Sequence, residues 1–167
     1  MPISLSTLRQ AASSRRVTKS LQEARASGAK TLFLCHSHDD QDLVLGLVNL
    51  LDDAGWNVYV DWKDTSMPPT PNRETAQKIK DRVRAADYFL FLATPNSVKS
   101  RWCPWETGFA DGVKPISSIF VATTRDELGN YYGNEYLQLY RHVDFSNEDE
   151  LGTWMPGETK GYRLRDI

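Results

Sequence analysis

No apolar run in the sequence approaches membrane-spanning length, and the N-terminus lacks the apolar core of a signal peptide. A cytoplasmic chain with no membrane partner is therefore expected. Cysteine is scarce: Cys35 and Cys103 are the only two, and they do not form a Cys-x-x-Cys spacing. A reduced compartment is the default for such usage. Neither sign of charge is in excess, with 20 Lys and Arg against 22 Asp and Glu, net −2. Nothing in that balance favours nucleic acid. The phosphate-cradling glycine signatures are missing too. No Gly-x-Gly-x-x-Gly follows the first strand, which argues against a dinucleotide cofactor held in the Rossmann manner. No Gly-x-x-x-x-Gly-Lys-Ser/Thr occurs, which excludes a P-loop NTPase. What is there is a chain of 167 residues, 40% hydrophobic and 25% charged, enough for one well-cored globular domain.

The pattern along the chain alternates between strand and helix. Residues 1 to 29 are rich in Ser, Ala, Arg and Leu, and read as an arm of one or two amphipathic helices. Leu5, Leu8 and Ala12 share one helical face, and Val17, Leu21 and Ala24 another. The remainder, 30 to 167, reads as the main domain. Thr31 to Cys35 is apolar without alternation, the mark of a strand covered on both faces. A helix follows from about Gln41, capped by Asp39 or Asp40 and ended by Gly55. Trp56 to Val60 is a second strand. Trp62 to Asn72 holds three prolines and must be a long loop. A helix from about Arg73 to Ala86, a strand at Tyr88 to Leu92 and a strand at Ile116 to Val121 come next. Gly133 to Tyr140 reads as helical, Arg141 to Phe145 as a fifth, edge strand, and the tail shows little pattern. The fold class is α/β: a doubly wound, mostly parallel five-stranded sheet of flavodoxin-like order with an extra N-terminal helical arm.

That topology selects the functional residues. In doubly wound sheets ligands bind beyond the carboxyl ends of the strands. His36, Ser37, His38, Asp61, Trp62 and the stretch from Ala93 to Glu106 all fall on strand-to-helix connections, hence on that edge. Most distinctive is Ser100-Arg-Trp-Cys-Pro-Trp-Glu-Thr-Gly-Phe-Ala-Asp-Gly112, with Pro104 suited to a first helical position and Gly112 to a helix stop. Glu106 would then be either a capping residue of the first turn or a carboxylate facing the crevice. A phospho-receiver is excluded, because the third strand ends at Ala93 and Thr94 where an Asp is needed. Metal is not expected: adjacent residues in Cys35-His-Ser-His38 alternate in direction, and no second cluster completes a ligand set.

Four blocks, in order, resemble the TIR (Toll/interleukin-receptor) domain family of the bacterial type. They are Phe33-Leu-Cys-His-Ser-His-Asp-Asp40, Gly55-Trp-Asn-Val-Tyr-Val-Asp61, Ala86-Asp-Tyr-Phe-Leu-Phe-Leu-Ala-Thr-Pro-Asn96 and Ser100-Arg-Trp-Cys-Pro-Trp-Glu106. The last is similar to the family's Trp-Cys-x-x-Glu motif. The chain departs from the pattern at Cys35, where the family usually has Ser, and in the Pro-rich loop after Asp61, which lacks the usual Gly.

The resemblance implies an NAD+ glycohydrolase or ADP-ribosyl cyclase in bacterial defence or signalling, with Glu106 as the catalytic carboxylate. NAD+ would be the substrate, and no cofactor is implied. Trp102 and Trp105 would wall the cleft, with His36, Ser37, His38, Asp61 and Trp62 as substrate-binding candidates. The resemblance also implies self-association through the loop Asp61–Asn72, which carries Trp62 and Met67, and a downstream effector that senses the nucleotide product. Two other readings stay open: a TIR interaction module without catalysis, and a nucleoside deoxyribosyltransferase-like enzyme, a class of similar fold that also uses a Glu.

Overall fold

The computed structural model describes residues 1–13, 30–59, 72–133, 135–147 and 150–167. Five parallel strands form the centre of the sheet: β2 (Thr31–Cys35), β3 (Asn57–Tyr59), β4 (Tyr88–Ala93), β5 (Ile119–Arg125) and β7 (Arg141–Phe145), in the order β3-β2-β4-β5-β7. Helices α2 (Gln41–Asp53), α3 (Arg73–Ala85) and α4 (Trp102–Val113) lie between them in the chain. The doubly wound α/β class is what the alternation required.

The lack of alternation in the strands has a plain cause. Leu32, Leu34, Leu90, Leu92, Phe120, Ala122 and Val143 pack on one side with Val44, Leu47 and Leu51 of α2. Phe33, Cys35, Phe89, Phe91, Ile119 and Val121 pack on the other, with Ile79 and Val83 of α3 and Cys103 and Ala110 of α4. Successive residues of a strand point to opposite faces, and here both faces are dry.

The sheet extends past its parallel centre. β7 is internal, not an edge strand, because β8 (Leu151–Trp154) pairs with it antiparallel and β9 (Tyr162–Arg163) continues the sheet. The tail thus has regular structure that its pattern did not announce. Leu164 enters the core, and its carbonyl accepts a hydrogen bond from Trp56 Nε1 at 2.9 Å. The segment read as helical is a short 3-10 turn, Glu135–Leu139, next to the two-residue strand β6 (Tyr131–Tyr132).

Residues 1–13 are part of the same body. β1 (Ile3–Ser4) pairs in parallel with the end of β5, and α1 (Leu5–Ala12) lies on α2 with Leu5 and Leu8 buried. Ser4 caps α1 through Thr7 N–H at 2.9 Å. Asn49 Nδ2 donates to Ala11 O at 2.8 Å, satisfying a carbonyl at the other end. Gly46 permits this contact: a Cβ there would lie 1.8 Å from Leu8 O. Val17, Leu21, Ala24 and the expected boundary near residue 29 lie outside the described residues.

One titration is built into the sheet. Burial pushes the β7 imidazole of His142 below its ordinary value, and Asp144 offsets part of that. The unfolded chain therefore takes up a proton near pH 6.5 that the folded chain takes up only at lower pH. Folding stability should fall as pH drops through 6.5 toward the folded pKa. Replacing His142 with Gln should flatten that part of the denaturation midpoint against pH. An equally steep decline in the variant would assign it elsewhere.

Candidate functional site

The site begins at the end of β2. Cys35 is buried on the face that receives α4, with its Sγ 3.8 Å from Cys103 O. The Cys103 thiol in turn donates to His36 O at 3.3 Å. These contacts stitch the strand end to the first turn of α4. One turn further along the same inward stripe, Glu106 is only 6% exposed. Cys103, Glu106, Thr107 and Ala110 are the buried residues of α4, an i, i+3, i+4, i+7 set.

Helix register decides the role of Glu106. Trp102 and Cys103 N–H both point at Ser100 Oγ, at 3.2 and 3.3 Å, so the helix starts two residues earlier than Pro104 suggested. Pro104 is the third helical residue, where its missing N–H still costs nothing. Glu106 is consequently the fifth, beyond the reach of a first-turn cap. Its side chain is buried beside Cys103 and Thr107, on the face of α4 that packs toward β2. Gly112 is inside the helix, which runs on to Val113 and ends at an extended Lys114.

His36 is buried, and its Nδ1–H donates to Leu34 O at 2.9 Å. A carbonyl can only accept, so this bond leaves Nε2 as the acceptor nitrogen in the neutral ring. The exposed ring of His38 meets His36 edge-on at 6.0 Å. Ser37 accepts from Asp39 N–H at 3.4 Å and so also starts the turn into α2.

The two tryptophans part company. Trp102 is half-buried against the Cys35–Cys103 core, with its ring 5.4 Å from Trp105 at 89°. Trp105 stands about 100° round the helix from Glu106, which is the angle between neighbouring helical residues. It is 36% exposed and stacks on Phe109 at 6.2 Å, while Lys80 of α3 sits 5.7 Å from its ring centre. Arg84 covers Phe109 at 5.0 Å. Asp61 and Trp62 lie outside the described residues, as does the loop up to Asn72, which itself caps α3 through Thr75 N–H at 3.0 Å.

Sequence reasoning missed a buried polar knot on the same edge. Asp40 does not cap α2 with its side chain. Its carboxylate instead accepts from Thr94 Oγ1 and, at 2.7 Å, from Asn96 Nδ2. Ser97 Oγ closes the knot by donating to Leu92 O at 2.6 Å and accepting from Thr94 N–H at 2.8 Å. The signal was a Thr-x-Asn-Ser directly after β4, facing an Asp at the end of the first loop. Thr94→Val keeps the side-chain shape but removes one donor from a buried carboxylate. That should cost about 1–3 kcal/mol, read as a lower denaturant midpoint. No loss would mean the knot is not a brace.

Tyr136 is the other omission. It stands 38% exposed on the 3-10 turn, and its phenol is pushed up first by burial and then by Cys35 and Cys103. Tyr140, three residues after Leu137, is pushed up to about 12, first by burial and then by the charge of Asp111 of α4.

The family described as TIR domain matches residues 32–154. The chain is 33% identical over 136 residues to a protein named probable 3' cyclic ADP-D-ribose synthase ThsB' from Bacillus cereus (strain MSX-D12), covering 78% of this chain and 70% of that one. Among solved structures it is similar to a prokaryotic SEFIR domain (17% identity, 72% of this chain and 90% of the other, TM-score 0.49). It is also similar to the CMP N-glycosidase BcmB of Clostridium botulinum (19% identity, 55% and 67%, TM-score 0.40).

Proposed function

This chain belongs to the TIR domain family, and from that premise we propose that it cleaves NAD+ at the nicotinamide–ribose bond and closes the remainder into a cyclic ADP-ribose isomer. The observation that carries the reading is Glu106, a buried carboxylate on the ligand edge of a parallel sheet, at the motif position where an NAD-cleaving member needs it. The name of the Bacillus cereus relative supports the cyclic product.

The chemistry asks for one acid. When the C–N bond breaks, its electron pair returns to the nicotinamide nitrogen, which leaves neutral without protonation. Ordinary glycosidases need a second carboxyl group because their leaving oxygen must be protonated. The ribose is left oxocarbenium-like, and a carboxylate in a water-poor site stabilises that charge far better than it would in water. A hydroxyl of the same molecule then attacks the anomeric carbon and releases its proton, giving the cyclic product. Water attacking instead gives ADP-ribose. The covered position of Glu106 at the β2–α4 junction suits the first outcome, because it limits competing water.

We place the substrate between the His36–Ser37–His38 turn and the start of α4, with Trp102 as its aromatic wall. The loop Asp61–Asn72, with Trp62, would complete the site from a second copy of the chain. A product-sensing effector and a role in bacterial defence complete the proposal. Purified protein given NAD+ should release nicotinamide and a cyclic product resolved by chromatography with mass detection. Activity on a deoxynucleoside, with NAD+ untouched, would instead make it a deoxyribosyltransferase. No turnover of either would make it an interaction module. If a neighbour's loop completes the site, specific activity should rise with protein concentration over a hundredfold range, and a charge at Met67 should suppress the rise. A flat response would confine the site to one protomer.

A further inference from the structure

The far end of the sheet carries a cavity of about 260 Å³, set among Ser146, Asn147, Glu150, Trp154, Tyr162 and Arg163. From β2 it lies beyond β4, β5 and β7, roughly 19 Å at about 4.8 Å a step, so it is not the cleft of Glu106. One wall is a half-buried tryptophan laid against glycines. A Cβ on Gly152 of β8 would come within 2.6 Å of Trp154 Cη2. One on Gly161, just before β9, would come within 2.4 Å of Cε2 and Nε1. The indole therefore takes the room of two side chains. Glycine weakens a strand, and its presence there marks a close approach. The rim is polar and planar. Glu150 is gripped at both oxygens, Oε2 by Arg163 Nε at 2.8 Å and Oε1 by Arg165. A carboxylate has room for about four hydrogen bonds, so it remains an acceptor with a fixed direction. Both guanidiniums are engaged by Glu150, and Glu148 and Asp149 adjoin it in the chain, so no surplus positive charge awaits a phosphate.

We propose that this cavity binds an uncharged nucleoside whose base carries an exocyclic amine, with the base stacked on Trp154 and the amine donating to Glu150. Stacking on an indole serves any base, because every base has a π-face. The carboxylate makes the choice among them, since it can accept from an amine and repels a carbonyl. The volume lies below the roughly 300 Å³ at which drug-sized pockets begin, so one base fits and a dinucleotide does not. The site is separate from Glu106 and stands whether or not the chain cleaves NAD+.

Titration calorimetry of the whole chain with adenosine, inosine and AMP tests the assignment. Adenosine should bind. Inosine, which turns a carbonyl toward the Glu150 carboxylate, should bind at least roughly tenfold more weakly. AMP should bind no more tightly than adenosine. Trp154→Ala should lower the adenosine affinity roughly tenfold or more, because the stacking surface is gone. Gly161→Ala, which keeps the indole but lifts it into the cavity, should weaken adenosine as well. NMR gives a readout on the native protein that no variant's stability can confuse. The indole N–H signal missing from Trp154→Phe identifies Trp154, and that signal should move as adenosine is added. No adenosine binding at millimolar concentration overturns the proposal, as does tight AMP binding without adenosine, which would mark a phosphate site. Equal affinities for adenosine and inosine overturn the role of Glu150. An adenosine affinity kept in Trp154→Ala but lost in Trp102→Ala would move the nucleoside to the catalytic cleft and overturn the site itself.

Discussion

Glu106→Gln should abolish NAD+ cleavage, with a fall in kcat of roughly a thousandfold, while the protein stays folded. The size follows from the role: one preorganised charge aimed at the developing cation of the transition state is typically worth two to three orders of magnitude. The intact fold follows from the geometry. Gln has the same shape, so the stripe Cys103–Glu106–Thr107–Ala110 keeps its packing, and an amide oxygen still accepts where the carboxylate did. The loss should fall on kcat, since a neutral amide can hold a ribose hydroxyl but cannot stabilise the cation. The check is nicotinamide release at saturating NAD+ beside a melting curve. A folded variant with ordinary turnover would remove Glu106 from the chemistry.

How much of this was legible beforehand depended on the range of the interactions. The apolar runs at Thr31–Cys35 and Tyr88–Leu92 announced a two-sided core because burial on both faces abolishes alternation. Gly55, at φ 82°, ends α2 where the sequence placed the stop, since that conformation suits glycine. The helix α4 starts at Trp102 and not at Pro104, because Ser100 is a stronger local signal than Pro104. An acceptor for two backbone N–H groups outweighs a residue that merely tolerates the first turn. Gly112 does not stop the helix: a glycine inside a helix needs only a supporting neighbour, and the cap N–H of Lys114 bonds Ala110 O. The knot of Asp40, Thr94, Asn96 and Ser97 was invisible for a different reason. Its members lie on two loops that only the completed sheet brings together. The tail was unreadable for the same reason: Leu151-Gly-Thr-Trp154 has little strand character alone, and pairs because β7 offers it an edge.

The second large effect concerns stability. Gly46→Ala should destabilise the protein by about 3 kcal/mol, at the upper end of what overpacking costs. The added Cβ would meet Leu8 O at 1.8 Å, Leu8 C at 2.6 Å and Leu8 Cα at 3.0 Å. All three are backbone atoms, so no side chain can rotate out of the way. The helices α1 and α2 must separate, which loosens Leu5 and Leu8, the Asn49–Ala11 hydrogen bond and the pairing of β1. Gly108→Ala is the control. It lies in the middle of α4 with open space around its Cβ, so it should be neutral or stabilise by up to about 1 kcal/mol. Denaturant midpoints compare the two, and hydrogen exchange at residues 3–12 shows whether α1 has loosened. Equal midpoints would mean the interhelix contact is softer than its geometry.

The pairing of Ile3 with Thr124 also sets an order of events during synthesis. Residues 3–12 leave the ribosome before the strand they pair with has been made. At about 5–20 residues per second, that strand follows on the order of ten seconds later. Through that interval Leu5 and Leu8 can settle on α2 as soon as that helix is made, but only the arrival of β5 offers β1 its partner. Contacts so distant in sequence also form slowly once both ends exist. The nascent chain should therefore dock α1 on α2 first and pair β1 last. A circular permutant that places residues 1–13 after β9 should fold with less aggregation than the parent.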